Sequence, residues 1–175
     1  MPTRRWARPG SGGKKVGKNP TDRAKMGSKK SVLTDEQGGP LGAVVAAANV
    51  NDHLLLEATI EAIVVERPQP SAERPQHLCL DGGYNNEPSR EVATRHHYTA
   101  HIRPGGEEKG SYRKTPTHKP RRWVVERTLA WLSKCRALLV RYDKHAENYL
   151  GLVQLACALL WYRRLHRLLA TPVLR

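Results

Sequence analysis

Glu126 lies in the run Arg121-Arg122-Trp123-Val124-Val125-Glu126-Arg127-Thr128-Leu129-Ala130-Trp131-Leu132. It is one of three acids in the last 67 residues, which hold fifteen Lys and Arg. An acid on a basic helix with an apolar backing has two ordinary uses. It can pair with Arg122, four residues earlier on the same helical face, for a few tenths of a kcal/mol (~0.3–0.5). It can also hold a metal ion against a phosphodiester. Asp81 is a second carboxylate of interest. It follows the apolar run Leu78-Cys79-Leu80 and precedes Gly82-Gly83, a pattern that exposes an acid in a tight turn at a strand end. Most Asp-Gly pairs are only turns. Two carboxylates from separate elements can, however, bind Mg²⁺, which prefers oxygen ligands. Metal ions so held activate a nucleophile and stabilise the leaving oxygen of a phosphodiester. Arg122, Arg127 and Lys134 would then neutralise phosphates, and Arg121, Trp123, Lys25 and Lys29 complete the candidate DNA-contacting set. Trp123 is the tryptophan best placed to contact DNA, because Trp131 and Trp161 fall at apolar helical positions. His96-His97 with His101 is a weaker, faintly metal-like group.

The charge distribution supports a polyanionic partner. Residues 1–30 carry ten Lys and Arg against one acid, residues 31–108 five against twelve, and residues 109–175 fifteen against three. Two basic flanks around an acidic middle, with a net charge of +14 and a pI near 10.1, point to nucleic acid rather than to a merely solvated surface. Cys79, Cys135 and Cys157 are unpaired by count and lie in apolar runs, which predicts buried thiols and argues against a disulfide framework or zinc ribbon. The longest apolar run, Leu150 to Tyr162, is too short for a membrane span. No signal peptide is visible, and the expected location is cytoplasmic, at the nucleoid.

The elements that must position these residues follow from pattern and turn chemistry. Residues 1–30 read as a flexible basic arm, 31–168 as the folded domain and 169–175 as a tail. A hairpin is expected over Ser31–Thr34 and Leu41–Ala48, joined by the turn residues Asp35 to Pro40. A helix follows from about Asn51 to Val65, with Asp52 as a capping acid. Strands are expected over His77–Leu80 and Tyr98–Ile102, with a helix over Glu87–His97 between them. Pro120 starts a helix running to about Leu138, and a last helix spans roughly Ala146–Leu168. The result is an α/β fold: a mixed sheet with flanking helices, a basic N-terminal arm and two C-terminal helices.

Several segments, taken in order, resemble the DDE transposases of bacterial insertion sequences. They are Asn19–Lys29, Pro40–Asp52, Leu78-Cys79-Leu80-Asp81-Gly82-Gly83-Tyr84, Arg122–Thr128, Arg141-Tyr142 and Leu155-Ala156-Cys157-Ala158. The resemblance implies an RNase H-like fold. It also implies Mg²⁺- or Mn²⁺-dependent DNA strand cleavage and transfer at element ends, within a homo-oligomer on DNA. Asp81 and Glu126 would be catalytic metal ligands, joined by an Asp on the first, central strand. Residues 1–11 contain no acid, Gly82 stands where relatives commonly carry Lys, and Lys119 where some carry Tyr. The expectation is therefore a chain without its first strand, an N-terminally shortened or downstream reading-frame product with little activity alone. The alternative is a non-catalytic DNA-binding regulator or subunit partner. A small structural protein of a ribonucleoprotein gives no reason for the ordered acid motifs.

Overall fold

A computed structural model describes residues 8–9, 13–102 and 122–170. In chain order the strands are β1 (Arg8–Pro9), β2 (Gly17–Lys18), β3 (Met26–Thr34), β4 (Pro40–Ala47), β5 (Gln76–Leu80), β6 (Tyr98–Ile102) and β7 (Val140–Arg141). The α-helices are α1 (Leu56–Glu61), α2 (Glu87–Arg95), α3 (Arg122–Leu132), α4 (Arg136–Leu139) and α5 (Ala146–Ala170). Two 3-10 turns, Asp52–Leu55 and Gly82–Tyr84, precede α1 and follow β5. The fold is mixed α/β.

β2, β3 and β4 form an antiparallel sheet, with Ser28 opposite Ala47 and Leu33 opposite Gly42. β5 and β6 pair in parallel, Gln76 against Tyr98 through Leu80 against Ile102. A parallel pair needs a crossover, and α2 supplies it. Asn86 caps α2 by accepting the Ser89 N–H at 2.9 Å, and His97 at φ 59° ends it so that β6 can begin. β1 and β7 make a separate parallel pair.

With no Phe in the chain, Leu, Val, Ala and Tyr fill the core in two clusters. Ala43 and Val45 of β4 pack with Leu132, Leu138, Tyr149, Val153 and Ala156 from α3, α4 and α5. Leu56 and Ile60 of α1 pack with Leu78 of β5 and Ala93 of α2, joined by Leu33 of β3. Among the described residues no helix is long and apolar enough to cross a membrane.

Four expectations need correction. Residues 13–30 are not a loose arm: the chain folds back through β2 into β3. The Asn19 side chain, 1% exposed, accepts from Thr21 N and Oγ1 at 3.0 Å each, and Arg23 and Ala24 take left-handed conformations. Polar side-chain bonds build that turn, and hydrophobic periodicity does not report them. α1 ends at Glu61 because Ile63 bridges to Gly42 and Val64 N–H bonds Leu41 C=O, diverting the chain to the sheet. The helix expected through Leu138 breaks at 133–135, where Cys135 is extended and precedes α4. Its start at Pro120 lies outside the described residues. Finally, Cys79 is exposed, because its neighbour Leu78 takes the inward side of β5.

Candidate functional site

The turn of the β3–β4 hairpin is the dock that orients α3. Asp35 closes the turn, its Oδ1 accepting the N–H groups of Gln37 (2.9 Å) and Gly39 (2.6 Å). Gly38, at φ +86°, presents its carbonyl to Thr128 Oγ1, which donates at 2.6 Å. Arg127 Nη2 donates to the Gln37 carbonyl at 2.5 Å. α5 grips the same turn from another direction: Trp161 Nε1 donates to Pro40 C=O at 2.8 Å, and Arg164 reaches Asp35 Oδ2 at 3.4 Å and the Gln37 carbonyl. Thr128 is buried, so its bond is shielded from water competition. The residues directly after Glu126 are therefore fastened to the sheet.

Glu126 itself is half-buried. Val124, Thr128 and Leu132, four residues apart, form the buried stripe of α3. At ~100° per residue Glu126 stands about 200° round the helix from Val124, opposite that stripe. Trp123 is 56% exposed, and the Arg127 guanidinium lies 4.8 Å from its ring centre. That pair offers an aromatic face and a cation together. Lys134 is exposed in the turn after α3. Arg121 and the side chain of Arg122 lie outside the described residues, so the Arg122–Glu126 pair has no structural account.

Asp81 is exposed at the carboxyl end of β5 and caps the 3-10 turn that follows. Its Oδ1 accepts the Gly82 N–H at 2.7 Å and its carbonyl accepts Tyr84 N–H at 2.9 Å. A side-chain carbon at Gly83 would meet nothing within 4 Å, so this tip is open to a large ligand. Leu78 and Leu80 hold β5 in the second core cluster, whereas Leu132 holds α3 in the first. The two acids thus stand on elements of different clusters.

The other sequence candidates separate by burial. Lys25 is exposed and lies 3.5 Å from Asp22. Lys29 departs from the expected surface role: it is 6% exposed, pairs with Asp52 Oδ1 at 2.7 Å and donates to Val50 C=O. Asp52 accordingly serves that pair, while Asn51 occupies the cap position. Trp131 packs against the core, but Trp161 is 39% exposed and acts mainly through its indole N–H.

Sequence reasoning passed over the structural weight of Arg141. It is 1% exposed and donates to Ser28 Oγ (2.6 Å), Lys14 C=O (2.9 Å), Asp143 C=O (2.9 Å) and Lys144 C=O (3.3 Å). The guanidinium also lies 5.5 Å from the Tyr149 ring centre. Its planar fork ties β2's approach and the loop before α5 into one unit. Beside it Lys30 donates to Leu138 C=O at 3.2 Å and Tyr149 OH at 3.3 Å, and burial lowers its pKa to about 8. Burial also raises the Tyr149 hydroxyl well above its ordinary value.

The family model for the transposase DDE domain matches residues 3–161. A Burkholderia cepacia protein named as a candidate transposase for insertion sequence element IS402 is 36% identical over 171 residues, spanning 94% of this chain and 74% of that protein. No solved structure matches. With the family match extending from before β1 into α5, the chain belongs to the DDE-domain transposases of bacterial insertion sequences.

Proposed function

We propose that Asp81 and Glu126 are metal-ligating acids of this transposase, and that their ion drives Mg²⁺- or Mn²⁺-dependent cleavage and transfer of DNA strands at the ends of the element. The observation carrying this reading is the exposed Asp81 carboxylate at a strand's carboxyl end, oriented by Gly82 N–H above an open glycine tip. Ligands of α/β sheets bind at such ends. An all-oxygen donor set suits Mg²⁺ or Mn²⁺. The ion would supply Lewis-acid activation of the attacking oxygen and charge relief at the leaving oxygen. Exposed Trp123, Arg127 and Lys134 lie on or beside the same helix as Glu126 and suit a DNA backbone, and this reading counts Arg121, Arg122 and Lys25 as further DNA contacts.

The finer fold in this reading is RNase H-like. Its support is the order of antiparallel hairpin, helix and parallel β5–α2–β6 unit. Among the described residues, β3 over 28–34 pairs only with β4, and β5 pairs only with β6. Those open edges suit an additional central strand bearing the third carboxylate. A homo-oligomer on DNA belongs to the same reading. Leu155, Tyr162, Leu165 and Leu169 make an exposed apolar line at heptad-like spacing on α5, which suits a protein neighbour.

The test is divalent-metal nicking of the element's terminal DNA. The chain alone should nick at background level. Adding a strand segment that carries an Asp should bring activity, and Glu126→Gln should abolish it. Robust nicking by the chain alone would overturn the need for the added acid, and nicking that survives Glu126→Gln would overturn the site. DNA binding without cleavage in every arm would favour the non-catalytic regulator.

A further inference from the structure

We propose a second divalent-cation site, separate from Asp81 and Glu126, built from Glu57 and Glu61 of α1 and His96 at the end of α2. Glu57 and Glu61 are four residues apart and share a helical face. One carboxylate oxygen from each and a ring nitrogen of His96 all lie within 4.8 Å of one another. Glu57 Oε1 and His96 Nε2 are 3.8 Å apart. That is too long for a hydrogen bond. It fits two ligands of one ion, since metal–nitrogen and metal–oxygen bonds of about 2.0–2.2 Å allow ligand separations up to about 4 Å. A second observation points the same way: His96 Nε2 is buried and, among the described residues, has no hydrogen-bond partner. Buried polar atoms are nearly always satisfied, and an ion is one way to satisfy this one. The backbone of His96 is held in place, its N–H on Val92 C=O at 3.1 Å and its C=O on Arg67 Nη2 at 3.0 Å.

The donor set defines the class of ion. One imidazole nitrogen with two carboxylates suits Zn²⁺, Co²⁺ or Mn²⁺ better than Mg²⁺. Arg95 competes, because its Nη1 lies 2.5 Å from Glu57 Oε1 and offsets part of the site's negative charge. The ion would join α1 to α2, the two helices that pack with β5 in one core cluster. The site would therefore brace the strand that ends at Asp81.

Cobalt(II) is the probe, titrated into the full chain and followed by visible absorption and calorimetry. An Asp81→Asn/Glu126→Gln background removes the proposed catalytic ligands. One equivalent should still bind there, with a nitrogen–oxygen spectrum free of thiolate bands. Losing even an outer-sphere partner weakens such sites about 10–100-fold, so Glu61→Gln and His96→Asn should each cost at least about tenfold. Glu61 is exposed, so its substitution tests ligation without threatening the fold. Arg95→Gln should tighten binding severalfold. Unchanged affinity in Glu61→Gln and His96→Asn would overturn the site. So would loss of binding in the Asp81→Asn/Glu126→Gln background, or in His77→Ala, which would move the ion to the His77–His101 pair.

Discussion

Gly38→Ala should destabilise this protein markedly, because it strikes the dock that orients Glu126. The residue sits at φ +86°, where an L side chain costs about 1–2 kcal/mol. The added methyl would lie 2.9 Å from Thr128 Oγ1, 3.1 Å from Arg127 Nη2 and 3.4 Å from Val124 Cγ1. Arg127 can swing away. Thr128 and Val124 are buried on α3 and cannot, so overpacking adds about 1–3 kcal/mol. The sum is about 2–5 kcal/mol, or a fall in Tm of roughly 4–20 °C at about 2–4 °C per kcal/mol for a chain of this size. Thermal and urea unfolding measure it. Gly83→Ala is the matched control: it meets nothing within 4 Å and should stay within about 0.5 kcal/mol of the parent. A Gly38→Ala protein that melts with the parent, or a Gly83→Ala protein equally damaged, would refute the docking argument.

Three further outcomes follow from particular contacts. Arg141→Met should destabilise by at least about 3 kcal/mol, since several buried acceptors lose their donor at once, and Arg141→Lys should not rescue it; unfolding and limited proteolysis over residues 13–25 would show this. Stability should rise from about pH 8 towards pH 9. Lys30 is deprotonated in the fold above about 8 but still charged when unfolded, so the unfolded chain binds the extra proton. Burial raises Cys157 to about 11 from an ordinary 9, so above about pH 9 its loss offsets the Lys30 gain and the rise levels off. Lys30→Met should flatten the rise in a pH series of Tm. Lys134→Ala should weaken DNA binding on all sequences alike and reduce the salt slope of log affinity by about one, measured by fluorescence anisotropy.

Much of the frame was legible in the sequence because it rests on pattern. β6 runs over Tyr98–Ile102 as expected, and β5, α2 and α5 fall close to their expected bounds, each set by apolar spacing and by turn residues such as Asn86 and Pro88. The misreadings share a different cause. The 13–25 turn depends on the Asn19 amide, the early end of α1 on a backbone bridge to Gly42, and the break at 133–135 on local bonds. None of these leaves a hydrophobic period to read. Lys29 looked like a surface cation because charge is visible in sequence and burial is not; its partner Asp52 is 23 residues away. The same limit hid the Glu57–Glu61–His96 group, whose members come together only when α1 packs beside α2. Asp81 and Glu126 were legible as acids set apart by their surroundings, the one before two glycines and the other amid cations.

The central claim is that Asp81 and Glu126 hold one ion between them. Manganese(II) binding by electron paramagnetic resonance tests it, in a Glu61→Gln/His96→Asn background that silences the second proposed site. Ligands of one ion act as a unit, so their losses are not additive. The account predicts that Asp81→Asn and Glu126→Gln each abolish most of the bound signal and that the double substitution does little more. Additive losses, or binding that ignores either substitution, would contradict it.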